Sequence, residues 1–583
     1  MGSTEQQSAD DQWAAEQGIP TLDQPFLQKY LDGRDALIAQ EKQKRSDHAF
    51  RENLSPMAAE ACAIVSAIRF QEQNTLWNQA YEDNLAETTE SGGIYPGMMF
   101  SLAKNRMENS KLFKIVKKMP KGALLHCHLG ATGDLEELLI EGLKVKGMQI
   151  KASGPLATPK QREDTTFGFL FVKNPGDSVA QSSIWSSEYK ADTYVPIADA
   201  AATFPDGGQE GFMKWFQSRT TITNEESTAH HLGPNAIWQK FTSTFGILAG
   251  LQFYEPLFRK FLRSMFRMMN EDGVRWVDIR TVFVSPYVRE NADKPEEDAE
   301  ALLTVLGEEI AAFKASEEGK GFWGARLIWT GLRIFDTRNI AEDMMECIRM
   351  KELFPDLICG YDLVGQEDLG RPLADLTPEL FWFKKKCAEA GVDIPFFFHA
   401  GETLGDGDAV DENLFDAILL GTRRIGHGFS LYKHPLLVDM VKDKKILIES
   451  CPISNEVLRL TTSIMSHPLP ALLARGVACS LCNDDPSVLG HGNTSGMSHD
   501  FWQALQGWEN LGLEGLASLA ENSVRWASYT DCSAKEWQQE IKDGIFGKGI
   551  RSQRLKEWAQ EFEKFCQWVV REYGAETDLE TLD

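Results

Sequence analysis

The chain of 583 residues, 43% hydrophobic and 25% charged, is long enough to bury one large core and to carry appendages around it. Its formal net charge of −26 argues against non-specific nucleic-acid binding, which needs clustered Lys and Arg to release counterions, and favours a small-molecule partner. No run of about 18 apolar residues offers a membrane span.

Residues 1–17 are polar and acidic and lack the apolar stretch of a signal peptide. Gly2 is followed at position 6 by Gln6, where a myristoylation signal carries Ser or Thr. The ten cysteines, several in apolar runs such as Ala478-Cys479-Ser480-Leu481-Cys482, read as buried thiols, and a reducing, cytoplasmic setting is expected. Cys479 and Cys482 have CxxC spacing. Positions i and i+3 of a strand face opposite sides, so core packing is expected there rather than a shared metal.

Residues 1–110 hold charged, helix-favouring stretches at 35–53 and 58–84 with no strand-like alternation. They read as a helical N-terminal extension, an arm that packs on the main domain or on a second subunit. Residues 111–583 read as that main domain. From Gly122 onward short apolar, β-rich runs alternate with helical or loop segments. Eight such runs lie at 123–129, 274–283, 325–334, 357–364, 393–399, 424–429, 446–450 and 477–481. Near-continuous apolar strands between helices indicate an α/β protein with a parallel sheet covered on both faces, and eight of them predict a closed (β/α)8 barrel. About 140 residues separate the first two strands, and a Gly, Pro and Ser-containing stretch at about 150–210 predicts an inserted subdomain or long lid. Helices at about 498–570 close the chain.

Polar residues collect at the C-terminal strand ends, where barrel enzymes build their sites. The first strand ends in His126-Cys127-His128, and alternation puts both imidazoles on one face, able to share a divalent metal. The fifth ends in His399-Ala400-Gly401-Glu402, a third imidazole followed by a carboxylate within reach of a substrate. His427, between Gly426 and Gly428, is placed to move a proton. The eighth ends in Asn483-Asp484-Asp485-Pro486, and a buried Asp-Asp pair calls for a cation or ligand to compensate its charge. Four of the 11 histidines sit at such ends beside these carboxylates, which argues against unrelated structural roles. Three His and one Asp make a Zn2+ site with a position left for water.

The strings Met119-Pro120-Lys121-Gly122-Ala123-Leu124-Leu125-His126-Cys127-His128, His399-Ala400-Gly401-Glu402, Gly426-His427-Gly428, Ser450-Cys451-Pro452-Ile453-Ser454-Asn455 and Asn483-Asp484-Asp485-Pro486 resemble the adenosine deaminase family in identity and order. Trp238 and Phe241 within 235–245, the run 278–283, and Asp362-Leu363-Val364-Gly365-Gln366-Glu367-Asp368 resemble its adenosine deaminase-related growth factor branch. The likeness runs over about 100–527.

The resemblance implies hydrolytic removal of the 6-amino group of adenosine or 2′-deoxyadenosine. His126, His128, His399 and Asp484 would hold one Zn2+, Glu402 would protonate purine N1, and His427 and Asp485 would orient and deprotonate the attacking water. It also implies that the Gly365 backbone meets N3 and that Asp485 lies near N7. Trp238 and Phe241 either line the ribose side or are core aromatics on a helix face. A homodimer through the N-terminal arm is implied as well. The other zinc deaminase design, an H-x-E helix followed by P-C-x-x-C acting on extruded bases, is absent.

One position departs from the family. Members usually carry an aspartate two residues after the second histidine, near the ribose 5′-hydroxyl, and here Gly130 stands there. Without that carboxylate, backbone N–H groups at Gly130 and Gly133 could turn to an anion, which makes AMP or another 5′-modified nucleoside the alternative substrate. Loss of a ligand or of the acid would mark an inactive nucleoside-binding protein, yet all seven positions are occupied.

Overall fold

The computed structural model describes residues 11–77, 94–174, 176–292 and 294–576. Its strands are β1 (Gly122–His128), β2 (Met148–Ala152), β3 (Phe167–Phe171), β4 (Val195–Pro196), β5 (Val274–Val282), β6 (Gly324–Leu332), β7 (Ile358–Val364), β8 (His399–Ala400), β9 (Arg424–His427), β10 (Leu447–Ser450) and β11 (Cys479–Leu481).

Parallel pairing runs β1-β5-β6-β7 and, in a second series, β8-β9-β10-β11. Two seams join the series into a ring. Tyr361 of β7 pairs in parallel with Phe396, and Cys127 of β1 pairs in parallel with Asp484 just past β11. Backbone bonds seal both: His128 N–H donates to Asp484 O (3.1 Å), and Phe397 N–H donates to Tyr361 O (3.0 Å). The chain is thus a (β/α)8 barrel. Every residue of β7 is buried, as expected for a strand with the barrel interior on one side and helices on the other.

The fifth barrel strand is shorter than its apolar run, 393–399, predicts. Pro395 has no N–H to give a ladder, and Phe398 N–H donates to the Thr422 hydroxyl (3.1 Å) rather than to a strand neighbour. Regular pairing therefore begins only at His399.

Between β1 and β5 the chain builds an insertion around a three-stranded antiparallel sheet ordered β3-β2-β4. The helix Gly233–Gln252 lies on it so closely that a Cβ at Gly250 would fall 1.6 Å from Phe169 O. At the N-terminal end, the helix Pro56–Thr75 buries Ala61, Ile64, Val65 and Ile68, and it packs on the terminal helix Ile550–Tyr573. The helix Pro25–Lys44 instead buries no residue, and its Phe26, Tyr30 and Leu37 are 60%, 67% and 68% exposed. The helical stretch read at 58–84 extends past Trp77 into residues outside those described. The last helices are Met497–Gly507, Gly512–Trp526, Ala534–Asp543 and Ile550–Tyr573. Among the described residues no helix is long and apolar enough to cross a membrane.

Candidate metal centre and active site

The C-terminal ends of β1, β8, β9 and β11 converge. His126 and His128, two residues apart on β1, put their rings 5.3 Å from each other, and His399 brings its ring to 4.5 Å from that of His126. Such closeness requires Gly426 on β9, where a Cβ would meet His126 Cε1 at 2.8 Å. The next residue, His427, and Asp484 both adopt left-handed backbone, with φ of 62° and 59°. For residues with a Cβ that conformation costs energy, and here it turns two polar side chains into the cluster.

Hydrogen bonds around the rim set the imidazole tautomers. His126 Nδ1 gives its proton to Glu449 Oε2 (2.9 Å), and His399 Nδ1 gives its proton to Asp362 Oδ2 (2.7 Å). Each ring therefore offers a bare Nε2. Asp484 Oδ1 lies 3.2 Å from His126 Nε2 and 3.2 Å from His128 Nε2. The ligand atoms of His126, His128, His399 and Asp484 all fall within 4.8 Å of one another.

Two acceptors facing each other at hydrogen-bond distance, with no donor between them, require a cation. His126 Nε2 and Asp484 Oδ1 are both buried without a hydrogen-bond partner. The acid–base balance shows the same demand. Burial opposes the charge of Asp484, but the imidazoles of His126 and His128 overcome it and hold its carboxyl well below the usual carboxylate range. Burial and Arg280 resist protonation of His126, but its contacts with Asp484 and Glu449 win and raise it above its ordinary value. Burial pushes His128 down and His399 down to about 3, leaving both neutral, the state in which imidazole binds metal. Three imidazoles and one carboxylate form a donor set that fits Zn2+.

Beneath the ligands lies a fully buried ionic layer. Arg280 bridges Asp362 Oδ2 and Glu449 Oε2, each at 2.8 Å, and Arg424 pairs with Glu449 and with Asp278 Oδ2 (2.9 Å). Burial opposes ionisation of Glu449, and the two guanidinium groups hold it well below its ordinary value all the same. These carboxylates orient the ligating imidazoles, as such partners do in metal sites generally. Glu449 and Arg424 escaped the reading of the sequence. The signal for Glu449 was a charge inside an otherwise apolar strand run, and for Arg424 a charge at the start of one, each of which has to be paired if the run is core.

Glu402 sits beside the cluster, buried. Burial first, then the charges of Asp484 and Glu367, raise its carboxyl well above the ordinary range and keep it protonated. Glu367 holds the loop in place, accepting from Gly401 N–H (3.2 Å), Glu402 N–H (2.9 Å) and Asn413 Nδ2 (2.8 Å). Asp485 is likewise pushed up, by burial and then by Asp484. His427 is held neutral by burial; its Nε2 is 3.9 Å from Asp484 Oδ2 and its Nδ1 3.5 Å from Glu402 Oε1.

The remaining predicted positions lie on the loops after β7 and β1 and on the helix between them. Gly365 follows β7 with φ of 105°, a turn that a side chain would strain. Trp238 and Phe241 are buried on the helix Gly233–Gln252, edge to face at 4.9 Å, and Phe245 continues the row. That helix spans from the loop after β7, where Asn235 Oδ1 accepts from Gln366 Nε2 (2.5 Å), to the turn after β1, where Gln252 Nε2 donates to Leu129 O (2.8 Å). Both aromatics thus lie on an element that crosses the barrel mouth. A Cβ on Gly130 would meet the Phe245 ring at 3.1 Å. The anion cradle read at Gly130 and Gly133 needs correction: Gly133 N–H donates to Ser487 Oγ (2.8 Å), and a Cβ there would strike Phe261 at 2.1 Å, so Gly133 serves packing.

The family model described as "Adenosine deaminase" matches residues 220–545. Adenosine deaminase 2-A of Danio rerio is 32% identical over 75% of this chain and 81% of its own length. Adenosine deaminase 2 of Sus scrofa is 31% identical over 78% and 84%, and Adenosine deaminase of Lutzomyia longipalpis 31% identical over 76% and 81%.

Proposed function

This chain belongs to the adenosine deaminase family, in its growth-factor-related branch, and is an aminohydrolase; we propose that it converts adenosine and 2′-deoxyadenosine with water to inosine and 2′-deoxyinosine plus ammonia. The observation that carries this reading is the facing of His126 Nε2 and His128 Nε2 on Asp484 Oδ1, both at 3.2 Å, beside a buried Glu402 that keeps its proton.

His126, His128, His399 and Asp484 would hold one Zn2+, which would supply a Lewis acid able to bring the pKa of water toward about 7. Glu402 gives its proton to purine N1, which draws electron density from C6 and opens that carbon to attack. His427 and Asp485 orient the attacking water, whose proton leaves with the amine as ammonia while the proton of the new C6 hydroxyl returns to Glu402. The Gly365 backbone and the row Trp238, Phe241 and Phe245 offer purine and ribose contacts at the mouth. Gly130 removes a carboxylate from the 5′ side, but Gly133 N–H is already bonded to Ser487 and is not free to meet a phosphate, which favours nucleosides over AMP. All ten cysteines are unpaired, which supports a reducing compartment.

The test is direct. Zinc-loaded protein is given adenosine, 2′-deoxyadenosine and AMP in turn, with metal content measured and ultraviolet absorbance following conversion of adenine to hypoxanthine. Turnover of the nucleosides well above AMP supports the reading. A preference for AMP, or no turnover of any of them by fully loaded protein, overturns it.

A further inference from the structure

The segment after β10 carries a second set of polar groups that the reaction described above does not use. The helix Pro452–Val457 bears Asn455, and His467 follows ten residues beyond that helix. Both are buried, His467 between the rings of Phe429 (5.4 Å) and Trp508 (5.9 Å). A polar ring among aromatics, far from solvent, has to be held by specific hydrogen bonds.

Those bonds form a directed chain that starts at the backbone. Leu469 N–H donates to His467 Nδ1 (3.1 Å). An amide can only donate, so Nδ1 is the bare nitrogen and the imidazole proton sits on Nε2. His467 Nε2 lies 3.0 Å from Asn455 Oδ1, which accepts that proton's hydrogen bond. The amide of Asn455 is thereby fixed: turned over, its NH2 would face an N–H. Its Nδ2 consequently donates, at 3.3 Å, to His427 Nδ1. Glu402 Oε1 is farther from the same nitrogen, at 3.5 Å.

We propose that His467, acting through Asn455, is a positioning residue that locks His427 in the tautomer protonated at Nε2. The nitrogen turned toward Asp484 then carries a hydrogen, so His427 offers a donor that orients the attacking water. A single backbone amide, whose direction cannot reverse, sets the protonation pattern of a ring three hydrogen bonds away. The assignment of roles rests on the deaminase reading; the tautomer does not.

The test uses the zinc-loaded enzyme with isotope-labelled histidine, read by long-range nitrogen–proton correlation NMR, which separates the two neutral tautomers. His427 is identified as the signal lost in His427→Gln. The wild type should show the Nε2–H pattern. In His467→Phe that pattern should give way to a mixture, with kcat for adenosine falling about 10- to 100-fold and KM held within about two-fold. His467→Gln, whose amide accepts and donates in the same places, should restore both. Because His467→Phe disturbs packing, Asn455→Asp serves as a second arm. It puts an acceptor against Nδ1 and should convert His427 to the Nδ1–H form. An Nδ1–H pattern in the wild type, or an unchanged pattern in both His467→Phe and Asn455→Asp, overturns the proposal. Failure of wild-type turnover with the Nε2–H pattern intact would overturn the deaminase reading and still support the lock.

Discussion

Glu402 keeps a proton at neutral pH because its surroundings forbid the charge: the site is buried, and the nearest charges, Asp484 and Glu367, are negative. A carboxyl so placed acts as an acid, and an amide of the same shape keeps the hydrogen bonds but has no proton to transfer. Glu402→Gln should therefore lower kcat about 100- to 10,000-fold while zinc content stays at the wild-type level, measured by turnover and metal analysis on the same preparation. Loss of zinc alongside activity would assign Glu402 to the metal instead. Asp362 tests the layer beneath. It accepts from His399 Nδ1 at 2.7 Å and pairs with Arg280 at 2.8 Å, so Asp362→Asn weakens both the aim and the basicity of a ligand without touching the metal position. Zinc affinity, followed by competition with a chromogenic chelator, should fall about 10- to 100-fold. An unchanged affinity would show that His399 is aimed by packing alone.

Elements away from the site are joined by buried acids too. Glu456, at the end of the helix Pro452–Val457, accepts from Phe100 N–H (2.9 Å) and from Gln503 Nε2 (3.2 Å), tying the helices Phe100–Glu108 and Met497–Gly507 to the barrel. Burial raises its carboxyl from 4.5 to about 8. A folded-state value above the unfolded one favours the native state fully below pH 4.5, and this contribution is lost as pH rises through about 8. Glu456→Gln, which mimics the protonated form, should flatten the decline of Tm over that window, and parallel Tm profiles of the two proteins would dismiss the effect. Nothing in local pattern marks Glu456 as buried, because the run around it, Asn455-Glu456-Val457, also suits an exposed helix. The strands were easier to read. Runs such as 357–364 are near-continuously apolar apart from Asp362, and β7 lies inside that span. Where reading failed, long-range bonding had overridden a local pattern. Pro395 and the Thr422 hydroxyl shorten the fifth strand, and within the insertion, read as a subdomain or long lid, the strands β2, β3 and β4 pair in a way that composition does not reveal. Among site residues, those at strand ends were legible because histidines and carboxylates are rare there. Arg424 and Glu449 become meaningful only when the barrel brings β9 and β10 together.

For the molecule as a whole, a net charge of −26 makes two copies repel at long range, so any assembly of this chain has to gain its free energy from apolar contact. The arm carries the surface for that. An isolated helix of this length is marginal in water, and the helix Pro25–Lys44 buries nothing against its own chain, yet it presents Phe26, Tyr30 and Leu37, with Trp13, Ile19 and Leu22 exposed just before it. Its base is firmly held: Ser46 N–H donates to Leu473 O (3.0 Å), and Arg51 pairs with Asp47 (2.8 Å) and Glu514 (2.5 Å). We infer a homodimer in which the arm lies on a second copy. Removing residues 1–44 keeps the bonds of Ser46 and Arg51 that hold the base, so the truncated protein should sediment as a monomer while keeping its zinc and its kcat. Raising the salt concentration should tighten the full-length dimer by screening the mutual repulsion. A full-length chain that sediments as a monomer, or a truncated one that stays dimeric, would remove the arm from assembly and leave its exposed aromatic residues to some other partner.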